Sequence, residues 1–420
     1  MLSTTSSHLL RTPIKRWAWL IVCLACGSAP AQWAQLDRLD QGLSLQSSNG
    51  WFSTKLSGLL DAEEYFIDQR PPGLIYNHGP FFFNPRLSLF LDTRFGPHFY
   101  SMVQARFDRG FDPGAKSSDG RLDEYLLRWT PLANARLNLQ VGKFATVFGN
   151  WVPRHLSWDN PFINAPLPYE FVTAVLDEGV LPPGVFKFIH TKPDNKYTWL
   201  PQIWGPSYAT GASIFGAINR FDYALEIKNA SLSSPPYAWD LTAQDFSYPT
   251  YTGRVGYRPN EQWNVGSSFS YGPYFLQETL DSGVAFPPGK SLGDYHQTTV
   301  GSDVSFAWHH WQLWAEAMAS RFEIPNTGNA DMLSYYLEAK YKISTHLYAA
   351  ARWNQQFYHP LIDSPTGPAR WEYDNWRVDL ALGWRFNRHL QSKVQYSFSR
   401  QDAPFQQGEQ LVAAQVTLKF

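Results

Sequence analysis

Charged and polar side chains occupy every second position along several stretches of this 420-residue sequence. Between residues 376 and 386, the even-numbered positions are apolar or aromatic, while the odd-numbered positions include Arg377, Asp379 and Arg385. Each such set of alternate positions is called a parity of the strand. Side chains spaced in this way share one face of a β-strand, so charges from several strands can meet. The chemistry open to such a face is the binding and electrostatic selection of ions and small solutes.

Covalent chemistry has no comparable signature in the sequence. There is no glycine-rich phosphate loop, no histidine and glutamate pair at the spacing of a zinc site, and no nucleophile elbow. The adjacent His309 and His310 fall in an expected turn, where a solvated pair is a simpler interpretation than a metal site. We therefore expect no enzyme activity, no metal site and no cofactor. A hydrolase with Ser, His and Asp on separate strands stays open as an alternative.

The composition narrows the class of protein. The chain has 35 basic and 36 acidic residues, so nucleic-acid binding is not expected. Only 17% of residues are charged and 16% are aromatic, yet the mean hydropathy is −0.34. That combination fits neither an ordinary soluble enzyme nor a helical membrane protein. It is typical of a transmembrane β-barrel, whose strands are apolar on one face.

The N-terminal 31 residues have the features of a secretory signal peptide. Arg11, Lys15 and Arg16 precede an apolar run at residues 17–26, and a small-residue pattern predicts cleavage near Ala31. Both cysteines of the chain fall inside this segment, so no disulfide is expected in the mature chain, and a lipid-anchored cysteine is the alternative. We assign residues 32–50 to a short periplasmic segment, either helical or disordered, and residues 51–420 to the barrel.

Seven short turns divide the alternating stretches into hairpins. They lie near residues 95–98, 131–135, 219–220, 259–261, 309–310, 344–346 and 387–389. Seven hairpins give fourteen strands, and a first strand near residues 52–63 and a last near residues 411–420 make sixteen. We therefore predict an all-β fold, a transmembrane antiparallel β-barrel of about sixteen strands. Eighteen strands, or a soluble propeller or sandwich, are the alternatives.

The two ends of this barrel are expected to differ. All seven short turns lie at the end that carries both termini, and we expect all eight connections at the other end to be longer. Short turns on the periplasmic side and long loops outside are typical of bacterial outer-membrane barrels. The sequence thus predicts that the barrel lies in the bacterial outer membrane and that its short-turn end faces the periplasm.

The polar parity of each strand would line the interior. It holds sixteen basic and eleven acidic residues, among which we select ten pore-lining candidates. They are Arg86, Arg106, Arg128, Arg254, Lys340, Arg352, Arg377, Asp379, Arg385 and Lys393. Sixteen strands enclose more space than side chains fill, so we expect a water-filled pore with a mild preference for anions. The alternative is that opposite charges pair across strands and replace an apolar core.

The third connection at the long-loop end, near residues 145–207, is much longer than the others and rich in aromatic residues. A loop of this length is usually functional, so we expect it to fold into the barrel and narrow the pore. Its candidate constriction charges are Arg154, His155, Asp159, Glu170, Asp177, Glu178 and Lys187. The alternative is an outer cap with a hairpin near residues 185–199. If the channel is specific for sugars, Trp151, Trp158, Tyr169 and Phe171 should line the path.

The signal peptide, the sixteen alternating strands, the long third loop and the terminal Phe420 together resemble a Gram-negative trimeric porin. The stretch from Gly142 to Gly149 is similar to the strand-end motif of the phosphate-selective porins, although eleven acidic residues among the interior charges depart from that group. The resemblance implies passive diffusion of small hydrophilic solutes or ions, a homotrimer, and contact with outer-membrane lipid and lipopolysaccharide. A structural barrel that houses a partner protein or an export plug is the alternative function.

Overall fold

A computed structural model describes residues 42–68, 80–109, 119–132, 134–176, 199–276, 286–361, 368, 370–403 and 408–420. Within this part of the chain, sixteen antiparallel strands form one closed β-barrel in which every strand pairs with its neighbours. The predicted fold class and strand number are confirmed. No helix in the described ranges is long and apolar enough to cross a membrane.

The sixteen strands follow one another around the barrel in chain order. They are β1 (Phe52–Ile67), β2 (Phe81–Phe95), β3 (Phe99–Asp108), β4 (Asp119–Trp129), β5 (Asn138–Lys143), β6 (Thr210–Ile218), β7 (Phe221–Lys228), β8 (Thr250–Tyr257), β9 (Trp263–Pro273), β10 (His296–Trp308), β11 (Trp311–Ile324), β12 (Gly328–Lys342), β13 (Leu347–Tyr358), β14 (Asn375–Arg385), β15 (Leu390–Gln401) and β16 (Glu409–Lys419).

The short turns lie where the sequence places them. All seven join consecutive strands at one end, from the β2–β3 turn to the β14–β15 turn. At the opposite end, one expectation is wrong: β11 and β12 are joined by only three residues, 325–327. Asn326 adopts a positive φ of 58°, which asparagine tolerates better than most residues and which permits this tight reversal.

The barrel closes between its first and last strands. Gly58 and Phe420 exchange backbone hydrogen bonds of 2.9 and 3.1 Å at the foot of this β1–β16 seam. Below the seam, the short strand Ser44–Gln46 pairs with residues 53–55 of β1. This part of the N-terminal segment is therefore neither helical nor disordered, the two states considered from the sequence.

Large apolar side chains are exposed on the outer face, because each strand turns its apolar parity away from the interior. Val255 and Leu337, for example, are 60% and 55% exposed. Aromatic residues form a band near the short-turn end: Phe95, Phe99, Trp129, Phe221, Trp263, Trp308, Trp311, Tyr341 and Trp384. We call this exposed apolar outer surface the apolar belt. An apolar belt bordered by a band of aromatic residues is the surface that a lipid bilayer covers.

Candidate functional site

The connection between β5 and β6 lies inside the barrel. Its described parts, residues 144–176 and 199–209, contact the inner side of β7 and of β9 to β15. Two short 3₁₀-helices, Val152–Arg154 and Leu167–Tyr169, interrupt it. Irregular backbone in a protein interior needs partners for its N–H and C=O groups. The inner wall of the barrel supplies them.

Wall carboxylates and amides accept hydrogen bonds from the amides of this connection. Glu316 of β11 accepts from the amides of Asn150 and Trp151 and, at 2.6 Å, from the hydroxyl of Tyr169. One carboxylate of the barrel wall thereby binds two segments of the connection that are almost twenty residues apart in the chain. Gln395 of β15 accepts from the amide of Ile163 at 2.6 Å.

Wall cations donate to the carbonyl groups of the connection. The ammonium of Lys393 lies 2.7, 3.0 and 3.2 Å from the carbonyl oxygens of Ser157, Asn160 and Phe162. Arg352 donates to the carbonyl oxygen of Asn164 at 3.2 Å. These two pore-lining candidates face inward, but the inward-folded connection covers them, with 1% of each residue exposed.

Six charged side chains of alternating sign form one continuous charge chain. In order, they are Arg154, Glu338, Arg352, Asp379, Arg377 and Glu170. Arg154 and Glu170 belong to the connection, and the other four belong to β12, β13 and β14. Burial raises the pKa of Glu170, while Arg377 opposes that rise. The constriction candidates Arg154 and Glu170 are therefore the two ends of the charge chain, and their ion pairs bind the connection to the wall.

A cavity of about 230 Å³ remains between the connection and the opposite wall, formed by β1 to β4. We call the charged residues of that side the charged wall: Asp61, Glu63, Arg86, Arg106, Asp108, Arg121 and Asp123. Arg86 pairs with Asp61 at 3.0 Å and with Glu63 at 2.5 Å. Arg121 donates two hydrogen bonds, of 2.7 and 3.0 Å, to the carboxylate of Asp108. Every arginine of the charged wall is thus paired with a carboxylate.

A β-bulge in β4 brings two of these residues inward. The β3–β4 register shifts between Gln104 and Ala105, so Asp123 opposes no residue of β3. Asp123 then bridges Arg106 at 2.7 Å and Arg121 at 3.0 Å. Strict alternation places only Glu124 inside, so it does not identify Arg121 and Asp123 as inward-facing residues.

Four further pore-lining candidates also lie on the inner face. Arg128 donates to the amide oxygen of Gln140, and Arg254 lies between Asp222 and Asp303. Lys340 lies over the ring of Tyr348, and Arg385 lies over the ring of Trp158. None of these four borders the cavity, whereas the candidates Arg86 and Arg106 do.

The remaining constriction candidates have different positions. His155 borders the cavity, and Asp159 is exposed. Asp177, Glu178 and Lys187 lie outside the described residues. Among the residues that the structure describes, no group of three or more His, Cys, Asp or Glu could hold a metal ion.

His155 is a neutral member of the cavity lining. Burial lowers its pKa to about 4. Its Nδ1 lies 2.5 Å from the carbonyl oxygen of Val152, which can only accept, so Nδ1 carries the proton. Its Nε2 then accepts from the hydroxyl of Tyr208, also at 2.5 Å. The ring adds no charge to the cavity at neutral pH.

We predict that a His155→Gln variant responds to pH in the same way as the wild type. A histidine with an ordinary pKa of about 6.5 gains a positive charge on going from about pH 7.5 to about pH 5.5, whereas His155, with its lowered pKa, stays neutral. The reversal potential in a KCl gradient measures this, because an added cation favours chloride. A shift towards chloride at the lower pH that occurs only in the wild type would contradict the prediction.

No protein family matches the chain, and no curated protein matches it either. Solved structures do match. OmpT, an outer membrane protein of Vibrio cholerae, has a TM-score of 0.56 at 11% identity over 90% of this chain and 99% of that one. OmpF of Salmonella typhi, in complex with daunomycin, has a TM-score of 0.56 at 10% identity over 90% and 100%. The chain has the fold of the bacterial outer-membrane porins.

A protein that is named for its ion selectivity also has this fold. An anion-selective porin from Comamonas acidovorans has a TM-score of 0.54 at 10% identity over 88% of this chain and 100% of that one. A bacterial outer-membrane location agrees with the porin fold and with the exposed apolar belt. The narrower similarity to phosphate-selective porins stays a prediction from the stretch between Gly142 and Gly149.

Proposed function

We propose that the protein is an outer-membrane channel through which small hydrophilic solutes and ions diffuse passively. One observation carries the proposal: a cavity lined by charged side chains lies inside a closed barrel, between β1 to β4 and an inward-folded connection. Porous barrels restrict passage by such a narrowing, and diffusion through it requires no covalent chemistry.

The charges at the cavity favour weak selectivity rather than the mild anion preference expected from the strands. Arg86, Arg106 and Arg121 border the cavity together with four carboxylates, those of Asp61, Glu63, Asp108 and Glu170. Much of the basic excess counted along the strands lies elsewhere, under the connection, where Arg352, Arg377 and Lys393 are 5% exposed or less. We therefore propose that ions of both signs pass.

The position of the connection distinguishes this function from the structural barrel. A barrel that houses a partner protein should keep its interior free, with the long connection outside. Here residues 144–176 and 199–209 occupy about half of the inner wall, on β9 to β15. We infer that this interior passes solutes and does not hold a partner chain.

We propose that the channel assembles as a homotrimer whose outer belt contacts outer-membrane lipid and lipopolysaccharide. The trimer rests on the resemblance to trimeric porins, and one similar structure is described as a trimer form of OmpT from Vibrio cholerae. The lipid contact rests on the exposed apolar and aromatic belt, which is compatible with a bilayer.

We predict that the purified protein conducts ions in planar bilayers, and that deleting residues 151–199 gives a larger single-channel conductance. The deletion removes one side of the cavity but none of the sixteen strands, so the barrel should still close. A variant of an exposed ion pair, Arg321→Ala, serves as a control with unchanged conductance. No conductance in the wild type would refute the channel, and unchanged conductance in the deletion would mean that the connection does not limit passage.

A further inference from the structure

We propose that the cavity binds a neutral polyhydroxylated solute of the size of a monosaccharide. This inference rests on the proposed channel function and names the solute for which its narrowest part is built. It depends on three features of the cavity lining. The charges compensate one another, donor and acceptor atoms are present that have no hydrogen-bond partner among the described residues, and aromatic rings are present.

The compensated charge disfavours a simple ion as the preferred ligand. Asp61 and Glu63 share Arg86, while Asp123 is held between Arg106 and Arg121. An anion would compete with carboxylates already in place, and a cation would compete with guanidinium groups. A neutral solute with hydroxyl groups can bind to the edges of these ion pairs without separating them.

Residues that line the cavity on both sides carry fully buried polar atoms that have no hydrogen-bond partner among the described residues. Within the described part of the chain, five lining residues, each at least nine-tenths buried, carry such an atom. They are Asn84 (Oδ1), Trp151 (Nε1), Ser157 (Oγ), Asn164 (Nδ2) and Glu170 (Oε2). Buried polar atoms normally have hydrogen-bond partners, so this concentration at one cavity indicates a ligand.

The chemistry of these atoms selects the class of ligand. The indole of Trp151 and the amide nitrogen of Asn164 can only donate, whereas the amide oxygen of Asn84 can only accept. An anion satisfies only the donors, and a cation satisfies only the acceptors. A hydroxyl group both donates and accepts, so a molecule with several hydroxyls can satisfy the whole set.

Aromatic rings complete the lining. The rings of Trp151 and Tyr169 lie 4.6 Å apart, and Tyr65, Trp204 and Tyr208 border the same cavity. Pyranose rings have apolar C–H faces that pack well against such surfaces. The cavity volume of about 230 Å³ is several times the roughly 30 Å³ that one water molecule occupies, which leaves room for one small solute.

The test uses the full-length protein in planar bilayers with KCl. D-glucose should reduce the ion current in a saturable way, whereas a polyethylene glycol of similar size should reduce it only through its effect on bulk conductivity and volume. Absence of a saturable glucose effect in a conducting channel, or an equal effect of the polymer, would refute the proposal while leaving the channel function intact. Absence of any conductance would instead refute the channel.

Two variants test the named atoms. Ser157→Ala and Trp151→Phe each remove a polar atom that has no partner among the described residues, so neither breaks a hydrogen bond of the fold. Each should weaken glucose binding about two- to tenfold, the effect of one hydrogen bond. The matched control is Asn264→Ala, which also removes an unpartnered buried atom but does not border the cavity. Unchanged glucose binding in both variants, or equal weakening in the control, would refute the assignment.

Discussion

Replacing Arg352 with alanine should free the inward-folded connection from the wall while the strands stay paired. Arg352 lies 2.8 Å from Asp379 and 3.5 Å from Glu338, and it also donates to the carbonyl oxygens of Asn164 and Ala165. Without Arg352, Glu338 keeps only Arg154 and Asp379 keeps only Arg377, so the charge chain holds one buried negative charge that no cation compensates. Breaking a buried pair in this way costs about 3–5 kcal/mol.

The loss should fall on the connection, because the barrel itself is held by a continuous ladder of backbone hydrogen bonds. We expect Arg352→Ala to migrate as a folded barrel on a semi-native gel, to become sensitive to protease within residues 144–176, and to show a larger and noisier conductance. These three measurements separate release of the connection from failure of the whole fold.

Arg321→Ala is the matched control for Arg352→Ala. It removes the same side chain from β11, two strands away from Arg352, but its ion pair with Asp331 is exposed, with 53% and 36% of the two side chains accessible. Exposed pairs contribute at most about 1 kcal/mol, so protease resistance and conductance should not change. If both variants behave like the wild type, the charge chain does not hold the connection in place.

Replacing Gly142 with alanine should impair folding of the barrel. Gly142 lies near the end of β5 with a φ of 133°, a conformation that side chains strongly disfavour. A Cβ atom would lie 2.1 Å from the carbonyl oxygen of Tyr125 on the neighbouring strand. Strain costs roughly 1–3 kcal/mol and steric overlap a further roughly 1–3 kcal/mol. The yield of folded barrel and the urea midpoint of unfolding measure the combined effect.

The control for this prediction is Gly253→Ala, another glycine within a strand. Its φ is not positive, and the nearest atom to a new Cβ would be the side-chain Cδ2 of Leu225 at 2.9 Å, which can rotate away towards the outside of the barrel. The stability of this variant should stay within about 0.5 kcal/mol of the wild type. Equal stability of the two variants would show that the backbone at Gly142 relaxes freely.

The barrel was predictable because strand periodicity is a local property. In the stretch 376–386, the polarity of each residue shows which side of the sheet its side chain faces. Short polar sequences between such stretches indicate the turns. Strict alternation does not predict the bulge at Asp123, although the sequence contains its signal. Leu122 and Tyr125 both face outward, three positions apart instead of two, which marks one extra residue between them.

The site was less predictable because it depends on where one long segment lies. Parity correctly places Arg352, Arg377 and Lys393 on the inner face, but parity cannot show whether such a side chain meets water or a carbonyl group of the connection. Likewise, Arg154 and Glu170 stand out as charges in a long loop, yet their partners lie 184 and 207 residues away in the chain. Such long-range pairings leave no periodic trace in the sequence.

The β1–β16 seam also constrains the order of folding. Thr417 donates to Asp61 across a separation of 356 residues, and the backbone bonds of Gly58 require Phe420, the last residue of the sequence. Contacts this distant in sequence form late, because a long chain must first lose its conformational freedom. Until β16 pairs with it, β1 keeps an open edge that can pair with another chain. A truncation of only the last few residues should therefore trap the protein in an aggregation-prone open sheet, even though fifteen of its strands are intact.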